Sequence, residues 1–175
     1  MVEHWITLTN IPTLGREFSF DDQEMWRALW REFRFEAEIL VPFAAVLTIV
    51  PQSSGFLIQG RLTGSFVTAC HRCSEDARVD LDHAFDLFEA HEDVDNIDEG
   101  SHLRGSEGSW ELNVAALLWE EFLLAVPEKI LCSENCLGLC PHCGKNRNLD
   151  PCTCDATENQ SPLAQALRSV HIKTN

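Results

Sequence analysis

The amino-acid sequence predicts an α+β fold: a mainly antiparallel β-sheet or open barrel, packed by one long helix, with a cysteine-rich, zinc-binding C-terminal tail. Three observations carry that expectation. Apolar residues alternate over residues 37–49 and again over 79–87, the period of half-buried strands. A helical apolar stripe follows Asn113. Six of the eight cysteines crowd into residues 132–154, CSENCLGLCPHCGKNRNLDPCTC.

A chain of 175 residues with 45 % apolar content can build one ordinary core plus an appendage. The expected division is an α+β body over residues 1–128, with a CxxC hairpin at 70–73. A zinc-binding tail over 129–155 and a short helix and tail over 156–175 complete it. The start, MVEHWITLTNIP, has neither a basic stretch nor a long apolar run, so no signal peptide is expected. No apolar stretch approaches the ~18–20 residues of a membrane span, so a cytoplasmic protein without a membrane partner is expected.

In chain order, Trp5–Thr9 alternates as a short strand that Asn10-Ile11-Pro12 ends. Ser19 or Asp21 caps a short helix through Met25, Trp26, Leu29, Trp30 and Phe33, read as core rather than as a binding surface. The next strand puts Ala37, Ile39, Val41, Phe43, Ala45, Leu47 and Ile49 on one face. Pro42 places it at an edge or breaks it. After the turn Gln52–Gly55, Phe56, Ile58, Leu62 and Phe66 share a face, with bulges or a bend expected at Gly60 and Gly64. Cys70-His71-Arg72-Cys73 then forms a hairpin tip. Val79, Leu81, Phe85 and Leu87 alternate on the returning strand.

Residues 90–109 are acidic and without period, which predicts a mobile loop. Its carboxylates Glu92, Asp93, Asp95, Asp98 and Glu99 lack calcium-loop spacing and read as solvated. Asn113 caps a helix through Val126. Ala115, Leu118, Trp119, Phe122 and Val126 form its stripe, which Val114, Leu117 and Leu124 widen. Glu120 and Glu121 mark its wet side, and Pro127 ends it. Ser161-Pro162 starts a short helix over Leu163–Val170.

Charge restricts the partners. Residues 1–128 carry 24 carboxylates against eight arginines and no lysine, whereas the tail is nearly balanced. Such a body repels phosphate backbones and suits basic proteins. Nucleic acid, if bound, falls to the tail.

The cysteine spacing indicates metal rather than disulfides or free thiols. Each short C-x-x-C turn aims two sulfurs at one point, and two turns supply the tetrahedral set that zinc prefers. Gly144 permits the tight turn after Cys143.

These elements resemble the DUF177 family, the YceD-like proteins. The matching pieces are Gly64 through Cys73, Leu112 through Pro127, and the CxGLCPxCG string with its closing CxC over Cys136–Cys154. The resemblance implies a cytoplasmic protein needed for accumulation of large-subunit ribosomal RNA, with plastid relatives in the same process. It also implies a gene that neighbours one for a small large-subunit ribosomal protein. Where the family has Asn-Leu-Asn, this chain has Asn146-Arg147-Asn148, a cation in place of an apolar residue.

Four cysteine pairs make two four-sulfur sites: Cys70, Cys73, Cys132 and Cys136 for one, Cys140, Cys143, Cys152 and Cys154 for the other. Interleaved pairs, or one metal with Cys132 or Cys154 spare, are the alternatives. His71 and His142 sit in the turns and are expected to face water. Four sulfurs close a zinc site, so the one or two ions are structural and no catalytic residue or small-molecule substrate is expected.

The function that follows is a non-catalytic ribosome biogenesis factor bound to a ribosomal protein or a large-subunit assembly precursor. Arg72, Lys145 and Arg147 are candidate contacts for ribosomal RNA or a partner. The alternative is a thiol–disulfide redox protein using Cys70/Cys73 or Cys140/Cys143. A hydrolase or nuclease has no motif to rest on.

Overall fold

The computed structural model describes residues 2–91, 101–106 and 109–154. The helix expected over Leu163–Val170 and the carboxylates Glu92, Asp93, Asp95, Asp98 and Glu99 lie outside these residues.

The elements run β1 (Trp5–Thr7), β2 (Arg16–Phe20), α1 (Gln23–Glu32), β3 (Glu38–Gln52), β4 (Gly55–Ala69), β5 (Asp76–Ala90), β6 (Leu103–Ser106), β7 (Ser109–Asn113) and α2 (Val114–Ala125). They build two antiparallel sheets, ordered β2-β3-β4-β5 and β1-β7-β6. The strand β2 and the pair β6–β7 were not expected from the sequence. The first is short, and the second falls partly in the acidic stretch read as loop.

Period-two alternation works as predicted along the long strands. Phe43, Ala45, Leu47 and Ile49 of β3, Phe56, Ile58, Leu62 and Phe66 of β4, and Ala77, Val79 and Leu81 of β5 are all buried. Val41 departs from the pattern and is 47 % exposed. The register shifts on either side of Val41, between Ile39 and Val41 and again across Pro42 between Val41 and Ala44, and such a slip turns a side chain to the other face. Pro42 is tolerated because β2 reaches only to the Phe20–Ala45 pair. Beyond that pair the side-chain amide of Gln23 takes over, donating to the Phe43 carbonyl at 2.7 Å and accepting from its N–H at 3.0 Å.

The irregularity expected at Gly64 is present towards β3, where the register shifts between the Ala44–Thr63 and Val41–Ser65 pairs, while the β4–β5 register runs unbroken from Gly55 to Ala69. Gly60 interrupts neither pairing. Both glycines make room for rings. A Cβ on Gly64 would lie 2.6 Å from the Phe43 ring, and one on Gly60 would lie 2.1 Å from the Phe85 ring.

The single long helix is a correction: two short helices share the packing, α1 of 10 residues and α2 of 12. Asp22, rather than Ser19 or Asp21, caps α1 through its carboxylate, which accepts from the Glu24 N–H at 2.9 Å. Ser19 belongs to β2. Asn113 caps α2, accepting from Ala116 N–H at 3.3 Å, and α2 stops where Pro127 forces Val126 extended. Neither helix could bury the apolar sheet face alone. Trp26 and Trp30 of α1 meet Phe122 of α2 at ring-centroid distances of 6.0 and 5.9 Å, and Phe43 and Phe66 close the cluster from below.

Two expectations for α2 fail for one reason. Glu121 is buried, facing His83 of β5 at 2.9 Å, and Leu124 is 68 % exposed. The helix covers β5 on one side and leaves residues 123–124 uncovered, which a nearly uniform apolar stretch does not reveal.

Candidate metal centres

The β4–β5 hairpin delivers Cys70 and Cys73 to its tip, both buried. The turn is held by Cys70 N–H donating to Glu75 O at 2.8 Å and Ser74 N–H donating to Cys70 O at 2.9 Å. The tail arrives from α2 through buried Ile130. Its carbonyl accepts from His71 N–H at 2.9 Å, and its N–H donates to His71 Nδ1 at 3.3 Å. His71 therefore has a structural partner although its ring is exposed; His142 is exposed as expected.

That docking brings Cys132 and Cys136 against the hairpin. The sulfurs of Cys70 and Cys136 lie 3.8 Å apart, and those of Cys73 and Cys132 lie 3.5 Å apart. All four ligand atoms fall within 4.8 Å of one another, as do those of Cys140, Cys143, Cys152 and Cys154. A tetrahedron with ~2.3 Å metal–sulfur bonds has edges of ~3.8 Å, so the first set fits an ion with little movement. Each tetrad can hold a metal ion.

The electrostatics agree with the donor set. Burial alone would push the Cys70 thiol up. The N–H groups of Arg72, Cys132 and Cys73 turned toward its sulfur outweigh that and bring it to about 6. Cys136 is likewise lowered against its burial by the Asn148 amide and the Gly138 N–H. Their neighbours behave differently: the Glu75 N–H lowers Cys73, but burial and the surrounding Cys132, Cys136 and Cys70 sulfurs outweigh it and drive it up to about 12. In the second set, the Cys143 and His142 N–H groups and the Cys152 thiol bring Cys140 to about 6, and Cys143 drives Cys154 to about 11. Four packed thiols cannot all ionise by themselves; a cation among them removes that restriction.

The surroundings are built as carefully as the sulfurs. Asn148 donates from Nδ2 to Cys136 Sγ at 3.3 Å while its Oδ1 accepts from Leu137 N–H at 2.7 Å. Asn146 accepts from the Asn148 amide at 2.8 Å and donates to Glu75 of the hairpin at 3.1 Å. Arg72 donates to the Cys136 carbonyl at 2.8 Å, and its own carbonyl accepts from Leu139 N–H at 3.0 Å. Gly138 is required there. At φ +71° a Cβ would stand 3.0 Å from the Arg72 carbonyl oxygen.

Sequence reasoning missed the two asparagines. The available signal was the N-x-N spacing itself, which sets the two amides within 2.8 Å of one another, one bonded to the hairpin and one to Cys136. Arg147 is exposed, so the cation that replaces an apolar residue lies at the surface. Arg72 is engaged with the tail, whereas Lys145 and Arg147 form no ion pair among the described residues.

A family model described as large ribosomal RNA subunit accumulation protein YceD matches residues 58–169. The chain belongs to the YceD family. Comparison with curated proteins and with solved structures finds no match. The YceD match spans most of β4, all of β5 and α2 and all eight cysteines, so it covers both tetrads and the helix that leads into them. Among the described residues no helix is long and apolar enough to cross a membrane.

Proposed function

We propose that the protein is a non-catalytic, cytoplasmic assembly factor that supports accumulation of large-subunit ribosomal RNA, with structural zinc in its tail. Family membership supports the ribosomal role. The observation that carries the architecture is the first tetrad: two sulfurs from a hairpin of the body and two from the tail, 59 and 66 residues apart in sequence at their contacts. Cys70, Cys73, Cys132 and Cys136 would hold one ion, and Cys140, Cys143, Cys152 and Cys154 a second. Zinc supplies no open position in a four-sulfur site, so its contribution is to cross-link. Residues 129–155 form the metal-dependent unit, since so short a segment rarely folds without a staple. The acidic body faces a basic ribosomal protein or an assembly precursor. Arg72, Lys145 and Arg147 offer the contact to ribosomal RNA or to a partner.

Deletion of the gene should deplete large-subunit ribosomal RNA, and the protein should co-sediment with large-subunit precursors. Restoration by wild type but not by a Cys70→Ser/Cys136→Ser variant supports the reading. Normal ribosome profiles in the deletion strain overturn it. The lowered Cys70 and Cys140 thiols keep a thiol–disulfide reading in view. A fast-reacting thiol pair in metal-loaded protein would favour that reading.

A further inference from the structure

An apolar cleft of about 550 Å³ opens between the end of α1, the start of the chain and α2. Its walls are Trp5, Leu29, Phe33, Trp119 and Leu123. Phe33 and Trp119 stack at 4.6 Å and 13°, forming a flat rigid wall, and Phe33 stays 45 % exposed while Leu123 is 50 % exposed. Large apolar side chains left open beside one another mark a contact surface more often than scattered ones do.

The rim is acidic. Glu3 and Glu120 line the cleft, and among the described residues no lysine or arginine does. The Glu120 side chain is 61 % exposed, with one oxygen 3.2 Å from His102 Nε2. His102, the other titratable lining group, is already held by Glu89 at 2.7 Å. The Arg104 guanidinium lies over the Trp5 ring at 3.8 Å and is bonded to Glu111 at 2.8 Å, so its charge is already matched. Carboxylates on the rim disfavour a nucleic acid. They match lysine and arginine flanking apolar anchors.

We infer that this cleft docks a basic protein segment, most simply an amphipathic helix that sets one or two apolar side chains against Phe33, Trp119 and Leu123 and its cations against Glu3 and Glu120. The inference rests on the assembly-factor reading and assigns its protein partner to a surface remote from the cysteines in sequence. A helix laid in an apolar groove presents anchors at i, i+3, i+4 and i+7, and anchors seated in a pocket dominate such affinity.

The test uses the full, metal-loaded chain and a synthetic helical peptide of leucine and lysine with leucines at that spacing, followed by tryptophan fluorescence. Saturable binding that weakens with salt is expected. Leu123→Asp and Glu120→Lys should each weaken it by about tenfold or more. Leu124→Asp, on the exposed turn outside the cleft, should leave it unchanged, and Glu120→Gln serves if charge reversal perturbs folding. The inference is overturned by a chain that binds no such peptide, by equal binding of a leucine–glutamate peptide, or by affinities insensitive to Leu123 and Glu120. Dimerisation abolished by Leu123→Asp would assign the cleft to a second copy, and peptide binding seen only after removal of residues 156–175 would assign it to the chain's own end. Either result also overturns the inference. None of these outcomes touches the ribosomal reading, which the deletion strain decides by itself.

Discussion

Replacing Asn148 by alanine should weaken metal binding at the first centre and leave the second unchanged. The structure sets the size of the effect. The Asn148 amide is a donor to Cys136 Sγ, at 3.3 Å, and Cys136 is the thiol that it helps to hold down. A hydrogen bond to a charged group contributes about 1.5–3 kcal/mol, and loss of an outer partner of a metal ligand lowers affinity ~10–100-fold, or ~1.4–2.7 kcal/mol. The two routes agree. Asn148→Asp is the sharper variant, because it keeps an acceptor for Leu137 N–H but puts a carboxylate beside the thiolate, so it should lose at least as much. The assay is competition with a chromophoric zinc chelator on the full chain, repeated in a Cys143→Ser/Cys154→Ser background that removes the second set. Unchanged affinity at the first centre, or equal losses at both, would refute the assignment of Asn148.

Phe122→Ala should destabilise the body by about 3–5 kcal/mol in chemical denaturation, because Phe122 is fully buried among Trp26, Trp30, Phe35, Phe43 and Phe66. Gly64→Ala should cost about 1–3 kcal/mol and more than Gly60→Ala, since Phe43 is buried with nowhere to move while Phe85 is only half-buried and can swing aside. Burial acts to lower the His102 pKa, but the facing carboxylates Glu89, Glu120 and Glu121 win and raise it above 6.5. The stabilisation from that ion pair is therefore full below about pH 6.5 and lost as pH rises through the higher folded-state value. Thermal melts against pH should show that loss in wild type and a flatter profile in Glu89→Gln.

Much of this molecule can be read from residues close together in the chain. The alternation in β3, β4 and β5 depends on period two alone, so the strands, their buried faces and the hairpin tip at Cys70–Cys73 follow from local order. Asn113 and Pro127 bound α2 in the same way. The two tetrads are the grouping favoured from the spacing. Each short cysteine pair is a local shape that aims two sulfurs together, but which pairs meet at the first centre depends on the docking of the tail against the hairpin.

Other features required the fold. Whether Glu121 meets water or His83 depends on which face of α2 lies over β5, and an almost wholly apolar helix carries no stripe sharp enough to say. The division of the apolar load between α1 and α2 depends on six rings meeting across more than 90 residues of chain. The hydrogen bonds of Asn146 to the hairpin and of Asn148 to Cys136, and the open cleft walled by the Phe33–Trp119 stack, likewise arise from segments that meet only after folding. Sequence by itself determined the periodic elements and the supply of sulfur, since both are set by neighbours. Tertiary structure alone decided which polar groups are buried and which apolar ones are left open, since that depends on contacts between elements far apart in the chain.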